Sequence, residues 1–252
     1  MRKLTLLLLL VATFALHADD GAVSLSPAVV MLRGDYGQST TQTLRLVNGT
    51  SQAFQFELIA EDAVVRDGKR TFVEAGLLPG SIAATAVFSQ KQVNVAAGET
   101  ITVTITVTLP AATEYRAVRA LFRGTNTVMS GNVPVIASLG SLLTFSIGND
   151  VTMTAAPLVV RPQSATANLA VSHLCTNSGR EPFVAKGVMA ILDAKGTLVG
   201  RTSMQPYRLL PGESAELGGE YAGELEPGQY RVMVTYDYEG QTLTRSAELE
   251  IP

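Results

Sequence analysis

The sequence predicts an all-β protein made of two tandem immunoglobulin-like β-sandwich domains. Residues 100–109 alternate threonine with isoleucine, valine and leucine, and a period of two is typical of a strand with one buried and one wet face. Turn pairs such as Asp67-Gly68, Lys195-Gly196 and Glu239-Gly240 separate many short runs of this kind. Short strands separated by turns at regular intervals favour a sandwich or barrel fold.

The first residues predict export. Met1-Arg2-Lys3 is a short basic segment, and residues 4–16 are uncharged and mostly apolar. That length suits a signal peptide, whereas a membrane span needs ~20 residues. We expect cleavage after Ala18, which leaves a mature chain without a membrane span; an uncleaved anchor is the alternative. Cleavage removes two positive charges and takes the net charge from −3 to −5.

The strand pattern divides at Asn149-Asp150. The predicted organisation is therefore a signal peptide at 1–18, an N-terminal domain at 19–148 and a C-terminal domain at 149–252. The predicted strands are residues 22–32, 41–48, 53–65, 87–95, 100–109, 115–124 and 133–147, and then 151–160, 166–175, 183–193, 197–203, 213–221, 229–238 and 241–251.

A short sequence pattern that occurs in both halves supports two copies of one fold. Tyr115 follows Gly98 by 17 residues and Tyr230 follows Gly212 by 18. Each tyrosine begins a strand after a proline-containing turn, where the tyrosine corner of a Greek-key sandwich lies. Repetition of this local chemistry predicts the same fold twice; coincidence between two common turn patterns is the alternative.

Composition excludes several classes of function. The mature chain is mildly acidic and has no basic stripe, which argues against a nucleic-acid partner. Cys175 is the only cysteine, so no intrachain disulfide can form, and tryptophan is absent. No nucleophile elbow, zinc-protease motif or phosphate-binding loop occurs. We therefore expect a protein that is not an enzyme, with no catalytic residues, no metal site and no cofactor.

His173 and Cys175 are the one suggestive pair. They are two residues apart on a predicted strand, so they share a face at about 7 Å. A thiolate–imidazole dyad needs hydrogen-bond contact, and a zinc site needs three or four ligands. We expect Cys175 to pack as a small apolar residue and His173 to fill a partly buried position.

A series of short motifs fills the first half of the chain. In order they are residues 23–32 (VSLSPAVVML), 42–48 (QTLRLVN), 88–95, the turn Gly98-Glu99, the strand 100–109 ending in Leu109-Pro110, Tyr115-Arg116, and Val133-Pro134-Val135. This order resembles the N-terminal domain of the periplasmic pilus-assembly chaperones, the PapD-like family. The resemblance covers about half of the chain, and the C-terminal half is closer to a generic immunoglobulin-like module.

The resemblance implies a mechanism and a location. In that family the last strand of the N-terminal domain adds to an incomplete subunit fold. The matching segment is GSLLTFSIG at 140–148, in which Leu143, Phe145 and Ile147 project to one face as the candidate subunit-binding strand. The alternative is that these residues only complete the protein's own core. The implied partners are exported pilin-like or other β-rich subunits and an outer-membrane assembly protein, in the periplasm or outside the cell.

One departure from the family concerns the subunit's terminal carboxylate. The family binds it with an arginine in the first strand and a lysine in the last. Here the first mature strand has no basic residue before Arg33, and residues 133–148 have none. The candidate substitutes are Arg116, Arg119 and Arg123. The alternative is that these arginines only form a solvent-exposed face of the sandwich. The predicted function is a chaperone-like protein; the alternative is a structural or adhesive exported module.

Overall fold

The protein's structure, a computed structural model, describes residues 21–111, 113–130, 132–164 and 166–252. The predicted signal peptide, 1–18, lies outside these residues. Two β-sandwiches follow one another along the chain, each with its own apolar core, as the sequence predicted. Across the described segments, no helix has the length and apolar character required to cross a bilayer.

The strands are short and numerous. Within the described residues, the first sandwich contains β1 (Val23–Ser26), β2 (Val29–Arg33), β3 (Ser39–Asn48), β4 (Phe54–Arg66), β5 (Lys69–Glu74), β6 (Val87–Phe88), β7 (Gln92–Val95), β8 (Thr100–Thr108), β9 (Ala117–Gly124), β10 (Val128–Ser130), β11 (Val133–Val135) and β12 (Ser138–Ser146), with a 3-10 helix at Ala83–Thr85. The second contains β13 (Met153–Ala155), β14 (Val159–Arg161), β15 (Leu169–Asn177), β16 (Phe183–Asp193), β17 (Leu198–Ser203), β18 (Tyr207–Leu209), β19 (Ser214–Tyr221), β20 (Gly228–Tyr238) and β21 (Gln241–Ile251).

Each sandwich has two facing sheets. In the first, one sheet has the order β1-β3-β8-β6 and the other has the order β2-β12-β9-β4-β5, with β7 also paired to β4. β10 and β11 form a separate hairpin. In the second, β13 and β14 pair with one side of β15 and β19 with its other side, while the facing sheet runs β17-β16-β20-β21, with β18 also on β16.

The alternation predicted along β8 is confirmed. Val103, Ile105 and Val107 are buried in the first core, with exposures of 1% or less. The threonines between them face outward, and the Thr106 hydroxyl lies 2.8 Å from the Thr41 hydroxyl on β3. Burying every second side chain stabilises the strand as part of a sandwich and fixes its register.

The opening segment differs from the single strand predicted at 22–32. It divides at Pro27 into β1, which is antiparallel to β3, and β2, which is parallel to β12 in the other sheet. Proline has no N–H to donate to a ladder, so the pairing of β1 cannot continue through it. Predicted strands 87–95, 133–147 and 151–160 are likewise divided, and β5, β10 and β18 were not predicted.

The second tyrosine predicted to form a corner does so. The Tyr230 hydroxyl donates to the carbonyl oxygen of Glu226 at 2.7 Å, which ties the start of β20 to the turn before it. Tyr115 is partly buried against the first core. The tyrosine-corner interpretation is thus confirmed for the second sandwich.

The two sandwiches meet over a small apolar and ionic junction. Leu210 packs on Ala63, Ala117 and Leu142, which lie on the outer face of the β2-β12-β9-β4-β5 sheet. The turn of the β4–β5 hairpin also reaches across, because the backbone N–H of Ser214 donates to Gly68 O at 2.8 Å. The division between 148 and 149 falls between β12 and β13, and as a domain boundary it stays a prediction.

Candidate protein-binding edge

The β2-β12 edge of the first sandwich is only half covered. β2 pairs in parallel with β12 from Leu142 to Ser146, while β9 pairs with the other side of β12 from Ser138 to Thr144. Residues 138–141 therefore have a strand neighbour on one side only among the described residues, although the Ser141 side chain is buried and donates to Pro27 O at 2.7 Å. We call this four-residue stretch the open edge.

The backbone of the open edge points outward at two residues. The Leu142 N–H donates toward β2, to Ala28 O at 2.9 Å, whereas the Phe145 N–H donates toward β9, to Arg116 O at 2.7 Å. Backbone groups alternate between the two sides of a strand. Gly140 and Ser138, which share the parity of Leu142, therefore direct their N–H and C=O groups away from β9.

Exposed apolar residues directly precede the open edge in the chain. Met129, Val133, Val135 and Ile136 are 48%, 59%, 36% and 61% exposed, and all four lie on or directly after the β10–β11 hairpin. We call these four residues the apolar hairpin. Val133 and Val135 lie on one face of the hairpin and Met129 on the other. Single exposed apolar residues are ordinary on protein surfaces, but four within eight residues make this hairpin a candidate interaction surface.

One side chain ties the apolar hairpin to the sandwich. Gln52 accepts from the backbone N–H of Met129 at 3.0 Å and donates to the Met129 carbonyl. A surface pocket of about 260 Å³ lies between this hairpin and the sandwich, and its walls include Val23, Phe54 and Ile136. The hairpin thus stands at the margin of the sandwich with apolar surface on both of its sides.

The predicted strand-donating side chains lie in the core. Leu143 and Phe145 have 0% exposure, and Ile147 packs, partly buried, against the same first core. All three point to one face, as predicted, but that face is the interior of their own sandwich, where they pack in the first core. Their role as partner contacts is not tested by this position, whereas the side chains of the apolar hairpin are exposed.

Two of the predicted arginines are engaged within the chain. Arg116 is 9% exposed and its Nε lies 3.3 Å from both carboxylate oxygens of Glu181. Arg119 donates from Nε to Glu61 at 2.6 Å, and its guanidinium carbon lies 3.6 Å from the ring centroid of Phe72. Each guanidinium therefore already has a carboxylate partner within the chain.

Arg123 is the most accessible of the three. Its side chain is 53% exposed, and its nearest carboxylate, Glu57, lies at 3.9 Å and is itself 44% exposed. Such a pair is weak in water. Arg33, at the end of β2, is also exposed and pairs with Ser146 across the β2-β12 ladder.

His173 and Cys175 lie in the core of the second sandwich, 3% and 0% exposed. His173 Nε2 lies 2.9 Å from the Tyr236 hydroxyl and Nδ1 lies 3.3 Å from Ala156 O. Burial lowers the pKa of His173 and raises the pKa of the Cys175 thiol to about 11. This chemistry suits core packing. In the described part of the chain, no group of three or more histidine, cysteine, aspartate or glutamate side chains could hold a metal ion.

The sequence did not single out Met129 and Ile136, and it placed Val133 and Val135 inside one continuous strand. The available signal was an apolar run, VPVIA at 133–137, that does not alternate and contains a proline. Such a run does not by itself distinguish a buried strand from an exposed hairpin.

Comparison with known proteins finds similar solved structures. No protein-family model matches the chain, and no curated protein matches it. The class 5 fimbrial chaperone CfaA is 12% identical with a TM-score of 0.47, over 92% of this chain and 100% of that one. The Escherichia coli chaperone DraB is 16% identical with a TM-score of 0.43, over 90% and 98%. A chain from the complex of the SafA pilin with the SafB chaperone of Salmonella enterica is 12% identical with a TM-score of 0.44, over 90% and 96%.

These are the same kind of protein that the order of motifs in the first half of the chain resembles. At these identities and TM-scores, however, the likeness carries no argument about function. The functional argument rests on the open edge and the apolar hairpin.

Proposed function

We propose that this protein is a periplasmic, non-catalytic chaperone-like protein that binds exported pilin-like subunits by β-strand addition. The observation that carries the proposal is that the exposed apolar hairpin directly precedes the open edge at 138–141 in the chain. Stable monomers normally cover or charge such an edge, because it pairs readily with other chains. An outer-membrane assembly protein is the proposed second partner.

Strand addition needs two kinds of contact, and this region offers both. The outward N–H and C=O groups of Ser138 and Gly140 supply main-chain hydrogen bonds. Val133, Val135 and Ile136 supply apolar side chains for a groove in an incomplete partner. In this proposal Leu143 and Phe145 hold β12 in place from the core side and do not enter the partner.

In this proposal Arg123 forms an ion pair with a terminal carboxylate of the partner. Of the three predicted arginines, it has the greatest exposure and the longest ion pair. Its register partner on β12 is Ser138, so Arg123 lies next to the open edge. We expect this contact to add to orientation more than to affinity, because an exposed charge is well screened.

A structural or adhesive module is the second candidate. It is favoured by the parallel pairing of β2, which covers 142–146, and by the complete burial of Leu143 and Phe145. In that case the edge would pair with no partner, and the apolar hairpin would be a contact surface between modules. The experiment below separates the two.

The test uses a matched pair of variants. Val133 and Val87 are exposed valines, at 59% and 65%, but Val87 lies in β6, in the opposite sheet. The tagged full chain, Val133→Asp and Val87→Asp would each be purified from the envelope fraction of cells that make surface fibres, and co-eluting chains identified by mass spectrometry. We expect a stoichiometric β-rich subunit with wild type and Val87→Asp, and its loss with Val133→Asp.

Circular dichroism would confirm that both variants remain folded, since exposed substitutions away from special contacts change stability by only about 0.5 kcal/mol. Elution of the wild-type chain alone would contradict the chaperone proposal and favour the module. Equal loss of the subunit in both variants would show that binding does not use the apolar hairpin.

A further inference from the structure

Unsatisfied polar atoms are concentrated at one place in the molecule. Four buried side-chain nitrogen or oxygen atoms among the described residues have no hydrogen-bond partner, and three of them belong to Arg70 and Arg208. They are Arg70 Nε, Arg208 Nε and Arg208 Nη1. Buried donors in folded proteins are nearly always satisfied by protein groups, water or ions, so a cluster of three calls for an explanation.

The two arginines meet where the sandwiches meet. Arg70 lies on β5 of the first sandwich and Arg208 on β18 of the second. Arg70 Nη2 donates to the backbone oxygen of Arg208 at 2.9 Å and to Glu213 Oε2 at 2.7 Å. The β4–β5 hairpin that carries Arg70 is held in place by the bond from Ser214 N–H to Gly68 O.

The charges of this cluster do not balance. Glu213 is 3% exposed and is the carboxylate that pairs with Arg70, and the same oxygen also accepts from Leu210 N–H at 2.8 Å. The guanidinium of Arg208 has no salt-bridge partner among the described residues. Burial, and then the neighbouring charge of Arg70, lower the pKa of Arg208, yet an arginine does not lose its proton in a protein.

A purely structural role explains only part of this arrangement. The pair between Arg70 and Glu213 ties the two sandwiches together without any need for Arg208. The other junction pair, Arg116 with Glu181, has no surplus cation. Arg208 is only partly buried, but its buried Nε and Nη1 groups have no acceptor within the protein. They are destabilising unless water or an anion accepts from them.

We propose that Arg70 and Arg208 form a binding site for a small oxyanion, a carboxylate or phosphate group, that bridges the two sandwiches. Guanidinium groups suit this ligand because their planar forks donate two parallel hydrogen bonds to two oxygens. Arg70 keeps 22% of its side chain exposed and Arg208 is partly exposed, so the cluster lies near the protein surface, and small side-chain movements would bring its donors to an anion. The proposal does not depend on the chaperone function.

The experiment is calorimetric titration of the full mature chain with inorganic phosphate and, separately, with acetate, at constant ionic strength. We expect one saturable site in wild type. Arg208→Met keeps the length of the side chain but removes its donors, and it should weaken binding by about tenfold or more, because at least one charge-assisted bond is lost. Arg201→Met, at an exposed arginine on β17, is the matched control and should bind as wild type does.

For a third variant we expect the opposite change in phosphate affinity. Glu213→Gln removes the one carboxylate that competes for these arginines, so it should bind phosphate more tightly than wild type. If circular dichroism shows that Arg208→Met is unfolded, Arg208→Lys is tested in its place. Lysine keeps the charge but lacks the planar guanidinium fork, so this variant should also bind the anion more weakly. Absence of saturable binding in wild type, or equal affinity in wild type and the Arg208 variant, would overturn the proposal.

The two anions distinguish the source of the ligand. Tighter binding of phosphate would indicate a free or ester-linked phosphate as the natural occupant. Tighter binding of acetate would indicate a carboxylate, which a peptide with a free C-terminus should reproduce and its amidated form should not.

Discussion

Asn48 and Asn177 share three equivalent hydrogen bonds in the two sandwiches, and Asn48 makes two more, to Ala96 O and from the Thr50 hydroxyl. Both are fully buried. Each side-chain nitrogen donates to the carbonyl oxygen four residues later, at 2.7 Å in the first sandwich and 2.9 Å in the second, and to a carbonyl on a distant strand at 3.1 Å in both. Each side-chain oxygen accepts from the N–H two residues later. The same asparagine thus closes the same turn twice, which supports a duplicated fold.

Replacing either asparagine with alanine should destabilise its own sandwich. Asn48→Ala or Asn177→Ala removes two or more hydrogen bonds to backbone carbonyl groups in or near the core, and we expect a loss of about 2–4 kcal/mol in the free energy of unfolding. Urea denaturation followed by circular dichroism measures this. Asn149→Ala, at an exposed asparagine, is the control and should stay within about 0.5 kcal/mol. Alanine variants that behave like the control would show that the turns are held by other contacts.

The ion pair between Arg116 and Glu181 should be important for the junction. Both side chains are at least nine-tenths buried, and Glu181 also accepts from the backbone N–H of Ile147 at 2.9 Å. Glu181→Gln leaves the Arg116 charge buried without a counter-charge, so we expect a loss of about 3–5 kcal/mol in the free energy of unfolding.

The control for this prediction is the neighbouring residue. Arg180 and Asp150 form a pair at 3.6 Å with side chains 87% and 56% exposed, and Arg180→Gln should cost less than about 1 kcal/mol. The two variants would be compared by denaturant unfolding under the same salt. Similar losses in both would contradict the idea that burial sets the importance of the pair.

Protonation of His173 should destabilise the second sandwich at mildly acidic pH. Burial lowers the pKa of His173 below 6.5, with a smaller opposing contribution from the bond to Ala156 and a further lowering by Arg245. The unfolded chain therefore takes up a proton at a higher pH than the folded chain does. The contribution of His173 to the free energy of unfolding is therefore fully present above about pH 6.5. It is lost progressively as the pH falls from there to the pKa of His173 in the folded protein.

The measurement is the free energy of unfolding between about pH 7.5 and about pH 5.5, where other side chains of the mature chain change charge little. His173→Gln cannot titrate, so its stability should depend less on pH over this range than that of the wild type. Parallel pH profiles for the two proteins would refute the assignment.

Cys175 should be inert in the folded protein. Its side chain is fully buried, and burial raises the pKa of the thiol to about 11, so little reactive thiolate is present at neutral pH. We expect alkylation by iodoacetamide to be slow in buffer and fast in concentrated urea. Leu174→Cys, combined with Cys175→Ser, places a thiol on the opposite, 52% exposed face of the same strand and should react quickly without denaturant. Rapid alkylation of native wild-type protein would indicate frequent opening of this sandwich.

Sequence reasoning succeeded where local pattern decides structure. The alternation along β8 predicted its buried face, and the turns Asp67-Gly68 and Glu239-Gly240 join adjacent antiparallel strands with both residues at positive φ. It failed for Leu210 and Glu181, because their partners at the junction are distant in sequence. No local pattern encodes a contact of that kind.

By itself, the sequence determined the fold class, because a period of two over short segments leaves few structures other than a sandwich that can bury one face of each strand. Only the tertiary structure decided which strand edge is open. The chain crosses at Pro27 from β1 to β2 at the edge of β12. The length of the β2-β12 pairing depends on how the two sheets pack, so the unpaired edge at 138–141 and the burial of Phe145 follow from the assembled sandwich.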